Sequence, residues 1–527
     1  MSLFKSIATF GGFTLISRIM GFIRDMVIAK YLGAGMLSDA FLVSFKLPNL
    51  FRSLFAEGAF NSAFVPMLSH NIAENGKEKS QIFASKAISV LAFILTIFVI
   101  LMICGMPYVV RILAPGFISD PSKIELTITL SYITFPFLLL VSIVSFQSGI
   151  LNSLGRFAAP ASTPIILNIV MIASVFILMN VTPTPAHSLA IGATTAGFIE
   201  IMWLAYNLRK ENYHLRPRFD IFNMFKDEEI KTLFKRIAPG ILGAGIYQIN
   251  IMIGTILVSL VSTGAISWLY YADRLQQLPL GVVGAAIGVA LLPVLSQELK
   301  SGKTEQAAIT QNKAVEYGAL LSFPAAVTLI VIGKTVINVL FQRGAFGSFE
   351  TEMTYKVLVA YSIGLPFYVM IKALAPNFFA RGDTKTPVKY SIVSLLANLT
   401  LSLILIIPLK HIGVALATSL AAIVSVSQYV WGLKRRNYWS FSKELSIQVF
   451  KIFICALLMG VILVIAEKLC YNAFGNWLEF GFFAKLSILG MIGVFGVVSF
   501  GFMAKITGVL CMSDILNMMS RRRKVNG

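Results

Sequence analysis

The chain has 527 residues, 57% of them hydrophobic and only 13% charged, and 44 lysines and arginines against 24 acids give a net charge of +20. Mean hydropathy is +0.80. A soluble domain carries about 25% charged residues, so this composition excludes a single soluble core; the apolar residues come instead in blocks of about 20, the length of helix that crosses roughly 30 Å of hydrocarbon.

The first block, "MSLFKSIATFGGFTLISRIMGFIRDMVIAK", has the early lysine and apolar run of a signal peptide, but no small-residue cleavage site follows, and Arg18 and Arg24 interrupt the run. It reads as a retained first helix. Apolar blocks between polar or Gly/Pro-marked breaks then predict an all-α polytopic membrane protein of about fourteen transmembrane helices. They lie near 6–32, 37–69, 84–113, 127–150, 158–181, 187–208, 236–261, 266–297, 313–341, 354–378, 387–408, 412–433, 446–470 and 483–507.

An even number of spans puts both ends on one side. One set of alternate loops holds Lys77, Lys79 and Lys86, then Arg209, Lys210, Arg216, Arg218, Lys226 and Lys231, then Lys300, Lys303, Lys385, Lys389, Lys434 to Arg436 and the tail "RRRK". The opposite loops "LGAGMLSD", "NVTPTPAHS" and "VSTGAIS" have no lysine or arginine. The positive-inside rule makes both termini cytoplasmic. Most of the surplus charge is then topology signal and attraction to anionic lipid headgroups, and no nucleic-acid partner is expected.

The one long polar loop separates an N-terminal lobe at 1–208 from a C-terminal lobe at 236–436, with a cytoplasmic linker at 209–235; two last spans and a basic cytoplasmic tail occupy 437–527. Within the linker, "KDEEIKTLFKR" reads either as an amphipathic surface helix or as a solvated loop. A shift of about 227 residues brings the lobes into register. "FVPMLSHNIAENGKEK" falls opposite "LLPVLSQELKSGKTEQ", "RILAPGF" opposite "NVLFQRGAF", and the Arg156 loop "NSLGRFAAPASTP" opposite the Arg381 loop "FFARGDTKTP". Six spans per lobe is even, so the repeats are parallel in the membrane and a cavity is expected between them.

Ionisable residues interrupt three spans: Arg18, Arg24 and Asp25 in the first, Asp39, Lys46, Arg52 and Glu57 in the second, Asp273 and Arg274 in the eighth. An arginine at a helix centre costs about 2.5 to 3.5 kcal/mol against lipid, so these face water, partners or both. The helical rise puts Arg18 roughly 18 Å into the membrane, Arg24 roughly 9 Å further, and Arg52 roughly 20 Å from the outer face. One reading is structural pairing, Arg18 with Asp25 on a shared helix face. The other is an anion site: Arg24, Lys46, Arg52 and Arg274 outnumber Asp39, Glu57 and Asp273, and surplus guanidinium suits paired phosphates. Pro48, Gly58 and Pro66 in span two, and Pro279, Gly281, Gly284 and Gly288 in span eight, mark a gate or close helix packing.

No nucleophile motif, phosphate-binding loop or metal-ligand spacing occurs, so an enzyme is not expected and no cofactor is implied. Cys104, Cys455, Cys470 and Cys511 read as free packing cysteines, and His70, His187, His214 and His411 as isolated surface residues near span ends. On the residues alone, an exporter of an anionic substrate stands beside a cationic-drug antiporter and a structural scaffold.

"SRIMGFIRDMVIAKYLGAGMLSDAFLVSFKLPNLFRSLFAEGAFNSAFVPML" resembles the N-terminal signature of the MurJ (MviN) lipid II flippase family, in the multidrug/oligosaccharidyl-lipid/polysaccharide exporter superfamily. "YADRLQQLPLGVVG", "LFQRGAF" and "ARGDTKTPVK" resemble its later signatures. The resemblance implies two six-helix lobes plus two C-terminal helices in a bacterial cytoplasmic (inner) membrane. It implies alternating-access translocation of undecaprenyl-pyrophosphate-linked disaccharide-pentapeptide, lipid II, to the outer leaflet for peptidoglycan synthesis, with another polyprenyl-linked oligosaccharide as the nearest alternative. Membrane lipids and cell-wall synthesis proteins are the further partners it suggests. The family's cavity arginines match Arg18, Arg24, Arg52 and Arg274, and its "DAF" acid matches Asp39; with Asp25, Glu57 and Asp273 these form the expected substrate-binding set. Some relatives hold sodium through acids on spans seven and eleven, where this chain has Gly254 and Ser402; Asn398 and Thr418 match the remaining ligands.

Overall fold

The computed structural model describes residues 3–53, 59–216 and 218–509. Glu57 and the basic tail therefore lie outside the described residues. Within them the chain is helical and has no strand: α1 Leu3–Leu32, α2 Met36–Arg52, α3 Ala59–Cys104, α4 Met106–Leu113, α5 Pro121–Thr134, α6 Phe137–Ser153, α7 Ala158–Leu178, α8 Pro185–Lys210, α9 Ile221–Met224, α10 Glu228–Ser259, α11 Ala265–Lys300, α12 Thr304–Val331, α13 Gly333–Phe341, α14 Ser348–Phe379, α15 Lys385–Arg435, α16 Lys443–Phe474 and α17 Phe482–Ile506. Nine stretches among the described residues are long and apolar enough to cross a membrane. Bulky apolar side chains on α17, among them Phe495, Val497, Val498 and Phe502, are exposed, as a lipid-facing helix requires.

Two of the long helices are hairpins. In α3 the backbone leaves helical geometry at Gly76 (φ 75°), and the rings of Phe64 and Phe83 stand 5.9 Å apart, although a straight helix would separate them by about 28 Å. In α15 the break is at Lys410 (φ 51°). There Ser394 Oγ donates to the Ala421 carbonyl at 3.1 Å, across what would be about 40 Å of straight helix. The predicted divisions between spans two and three, and between spans eleven and twelve, fall at these reversals.

The contacts divide the chain into two compact units, Met1–Ser267 with Gly344–Phe346, and Trp268–Arg343 with Gly347–Gly527. The first has a core of Phe60, Phe64, Phe83 and Phe146 among aliphatic residues of α3, α6 and α8. In the second, Phe378, Tyr390 and Tyr429 pack edge to face between α14 and α15, and α16 joins α12 and α17 through Ile452, Cys455, Met459 and Leu463.

The internal repeat recurs in backbone detail. Gly155 (φ 73°) and Gly382 (φ 75°), 227 residues apart, each end a helix in the left-handed region that glycine adopts without strain. The next residue closes the same bond in both: Arg156 N donates to Leu151 O at 2.8 Å and Asp383 N to Phe378 O at 3.0 Å. Asn212 and Asn437, both at φ 53°, repeat the device, with Tyr213 N donating to Leu208 O and Tyr438 N to Leu433 O at 3.0 Å. This is the offset of about 227 residues read from the sequence: within the facing loops it sets Arg156 opposite Asp383, and Arg381 opposite Leu154. Each repeat then holds the same ion pair with its charges exchanged, Arg156 on Glu211 and Arg436 on Asp383, both at 2.9 Å. At Asp383 the Thr386 hydroxyl and amide bonds, and then Arg436, hold the carboxyl below the ordinary aspartate range. The stabilisation it gives is complete above that ordinary value and is lost as pH falls through the lowered one.

The linker is docked on α3. Gln81 Nε2 donates to Asn212 O at 3.0 Å, and the amides of Arg216 and Arg218 donate to Ser85 Oγ and Ser89 Oγ at 3.1 and 2.9 Å. Lys86 pairs with Asp227 at 2.5 Å. "KDEEIKTLFKR" is neither a separate surface helix nor a loop; Asp227 caps α10 by accepting from Glu229 N at 3.0 Å, and the stretch continues into span seven.

Reversing one charge, Arg156→Glu or Glu211→Arg, is expected to lower the stability of solubilised protein by about 0.5 kcal/mol, the scale of an exposed pair. The double reversal, which gives the polarity of the second repeat, is expected to recover it in thermal unfolding.

Candidate functional site

The expected binding residues fall in both units. In the first, α1 carries Arg18, Arg24 and Asp25. Arg18 is exposed and makes no ion pair among the described residues. Asp25 is 2% exposed and accepts from its neighbour: Arg24 Nε and Nη2 both donate to Asp25 Oδ1, at 3.1 and 2.8 Å. The structural pairing considered from sequence, Arg18 with Asp25, is replaced by this one. Consecutive helix positions diverge, so the long Arg24 side chain folds back along the helix and is held in direction by the carboxylate.

On α2, Asp39 is fully buried. Its Oδ2 accepts from Lys123 Nζ at 2.8 Å and from Gly264 N at 2.7 Å, and its Oδ1 from Ser267 N at 3.0 Å and Ser267 Oγ at 2.6 Å. Lys123, also buried, lies 3.9 Å from the centroid of the Phe117 ring. Four donors compensate a charge that would otherwise be prohibitive in so dry a place. Asp39 thus ties α2 to α5 and to the turn between α10 and α11. About two turns further along α2, Lys46 Nζ donates to Thr255 Oγ1 on α10 at 2.6 Å.

Arg52 ends α2, and its Nε donates to Asn49 Oδ1 at 3.2 Å. Its charge also reaches Glu200 on α8, a residue 3% exposed. In the second unit, Arg274 stacks on the Tyr270 ring at 4.6 Å, one turn away on α11. Asp273 accepts from Gln277 Nε2 at 3.3 Å.

Lys123 and Glu200 were not among the residues singled out from sequence. Glu200 interrupts an apolar span in "AGFIEIMWLAY", where a lone ion at membrane depth is a signal in its own right; Lys123 stands in the polar break before the fourth predicted span, with Asp120 and Glu125 beside it, and carries no such signal.

The sodium ligands fit poorly. Asn398 Nδ2 donates to Thr418 Oγ1 at 3.2 Å, Thr418 Oγ1 donates to Val414 O at 2.9 Å, and no cluster of three acidic, histidine or cysteine side chains occurs among the described residues. This pair offers no carboxylate to a cation. His411 departs from the surface position expected of it: it is 6% exposed, packed 4.7 Å from the Trp268 ring. A cavity of about 370 Å³ lies beside the docked linker, lined by Ile88, Ser89, Gln147, Arg209 and Tyr213 among others; it contains none of the expected site residues.

Long apolar helices with compensated ions inside them define a polytopic membrane transporter. A multidrug resistance MATE family transporter of the MOP superfamily, inward-facing, shares the fold at a TM-score of 0.64 and 12% identity, covering 80% of this chain and 94% of that one. The family itself is narrower: the model described as "Lipid II flippase MurJ" matches residues 28–484, and the chain belongs to that family. A "Probable lipid II flippase MurJ" of Rhizobium tropici is 37% identical over 527 residues, 99% of this chain and 98% of the relative. One from Rhizobium meliloti is 38% identical over 91% of this chain and 88% of its own length. A solved "Lipid II flippase MurJ, inward closed conformation" superposes with a TM-score of 0.76 at 27% identity, over 94% and 98% of the two chains. The protein is a multi-pass inner-membrane protein.

Replacing Lys123 by alanine is expected to cost about 3 kcal/mol, because Asp39 keeps its charge without its cation. The paired replacement Asp39→Asn with Lys123→Met is expected to cost less, which denaturant unfolding of the solubilised protein measures.

Proposed function

We propose that the chain flips lipid II from the cytoplasmic to the outer leaflet by alternating access. Membership of the flippase family over residues 28–484 is the observation that carries this reading. In it the two six-helix lobes, 1–208 and 236–436, rock about a fixed site, both termini are cytoplasmic, and the last two spans flank the lipid tail.

The substrate's pyrophosphate is the anion that the arginines await. Arg24, steered by Asp25, and Arg52, whose charge reaches Glu200, present planar donor forks to paired phosphates. Arg18 extends the cationic set of the first unit, and Arg274 and Asp273 are the substrate-binding residues proposed for the second. Asp39 serves by holding the outer ends of α2, α5 and α11 together while the headgroup enters from inside. Sugars and peptide occupy the aqueous space and the polyprenyl chain stays in lipid.

Arg24→Ala and Arg52→Ala are each expected to fail to rescue a flippase-depleted strain at normal membrane levels. Loss of one charge-assisted contact, on the order of 2 kcal/mol, corresponds to roughly 30-fold in translocation rate. Full rescue by both variants would overturn the assignment. Depletion of this chain is expected to accumulate lipid II; accumulation of a different polyprenyl-linked saccharide would move the substrate to that class.

A further inference from the structure

Two glycines outside the arginine set stand at matching places in the repeat. Gly116 follows α4 in "RILAPGF" and Gly344 follows α13 in "NVLFQRGAF". Gly116 lies on the end of α10: its N–H donates to Ser259 Oγ at 3.2 Å, and a β-carbon there would fall on the Ser259 carbonyl and 2.7 Å from Leu260 Cα. Gly344 lies on the end of α1. Its neighbour Ala345 donates its N–H to Lys30 O at 2.9 Å, and a β-carbon at 344 would fall on that same carbonyl and 3.1 Å from Lys30 Cγ. Gly33, at φ +68°, meets Ala345 from the other side: its β-carbon would fall 3.1 Å from the Ala345 carbonyl carbon.

The loop after α4 and the loop after α13 thus do the same thing. Each seats a glycine on the last turn of the helix that begins the opposite repeat, α10 in one case and α1 in the other, and all four segments belong to the first unit. Backbone meets backbone at each contact, joined at Gly116 by the Ser259 hydroxyl, so the fit is close. The Asp39 carboxylate anchors the adjoining α10–α11 turn through Gly264 N and Ser267.

We propose that Gly116 and Gly344 are paired closing contacts of the outer face, which hold it shut while the headgroup binds and part to let it leave. The direction of opening rests on the transport reading above; the contacts themselves do not. A methyl group at either position cannot be accommodated against a helix carbonyl without displacing it, and overpacking of this kind shifts such an equilibrium roughly tenfold or more toward the open form.

The test uses the full chain with its four cysteines replaced by serine and a single cysteine at Ala265, a fully buried position just after the α10–α11 turn. Membrane-impermeant maleimide added from outside is expected to label this cysteine roughly tenfold faster in Gly116→Ala and in Gly344→Ala than in the parent. Gly35→Ala is the control, since a β-carbon there meets nothing within 4 Å, and its rate is expected to match the parent. Equal labelling in all four proteins overturns the proposal. In a second measurement, a disulfide between Lys30→Cys and Ala345→Cys is expected to arrest lipid II translocation in vesicles until it is reduced; translocation at the parent rate with the disulfide formed overturns it as well. Labelling needs no lipid substrate, so failure of the transport reading, seen as no translocation by the parent, is distinguished from failure of the closing contacts.

Discussion

An ion cannot remain in hydrocarbon without compensation, and this constraint organises the protein. At Asp39 compensation is complete and internal: an ammonium, two backbone amides and a hydroxyl converge on a carboxylate with no exposure. Such a centre holds three helices in fixed relation and has little left to offer a ligand. At Arg24 the arrangement differs, because Asp25 takes two donors through one oxygen and fixes the direction of a guanidinium with five N–H groups. Arg18, on the same helix, is exposed. The buried Asp39 centre on α2 holds the frame, and the arginines of α1 and α2 are the residues we propose to meet the substrate.

The repeat supplies the second constraint. Equivalent helix ends close with the same left-handed cap and the same backbone bond, and the side chains placed on that frame are free to differ, even to exchange charge, as Arg156–Glu211 and Asp383–Arg436 do. Backbone geometry has been kept where side-chain identity has not. The glycines at 116 and 344 belong to the kept part, because their contacts are made by main chain and tolerate no side chain.

Much of the fold was legible in the sequence because a membrane imposes a length: apolar blocks of about 20 residues mark helices whatever their detailed packing. The hairpin turns at Gly76 and Lys410 were legible for the same reason, since a span cannot be twice the membrane's thickness. What was not legible depended on contacts distant in sequence. The repeat offset of about 227 residues was legible, but the exchanged ion pairs Arg156–Glu211 and Asp383–Arg436 were not, because each joins residues more than 50 positions apart. Helix-face spacing suggested Arg18 for Asp25, but a long neighbouring side chain reached it first. The docking of the linker was not legible because its partners on α3, Gln81, Ser85, Lys86 and Ser89, carry no pattern of their own. Glu200 was visible as a lone ion in an apolar span, yet only the fold brings the Arg52 charge near it, and only the fold gives Lys123 its partner Asp39.

The measurement that bears most directly on the role of the guanidinium groups is headgroup translocation by the purified chain in vesicles, with lipid II compared against an analogue whose pyrophosphate is replaced by an uncharged linkage. The expected result is transfer of the natural substrate to the far leaflet and loss of most of that transfer for the uncharged analogue. Equal transfer of both would contradict recognition of an anion by the arginines of α1 and α2.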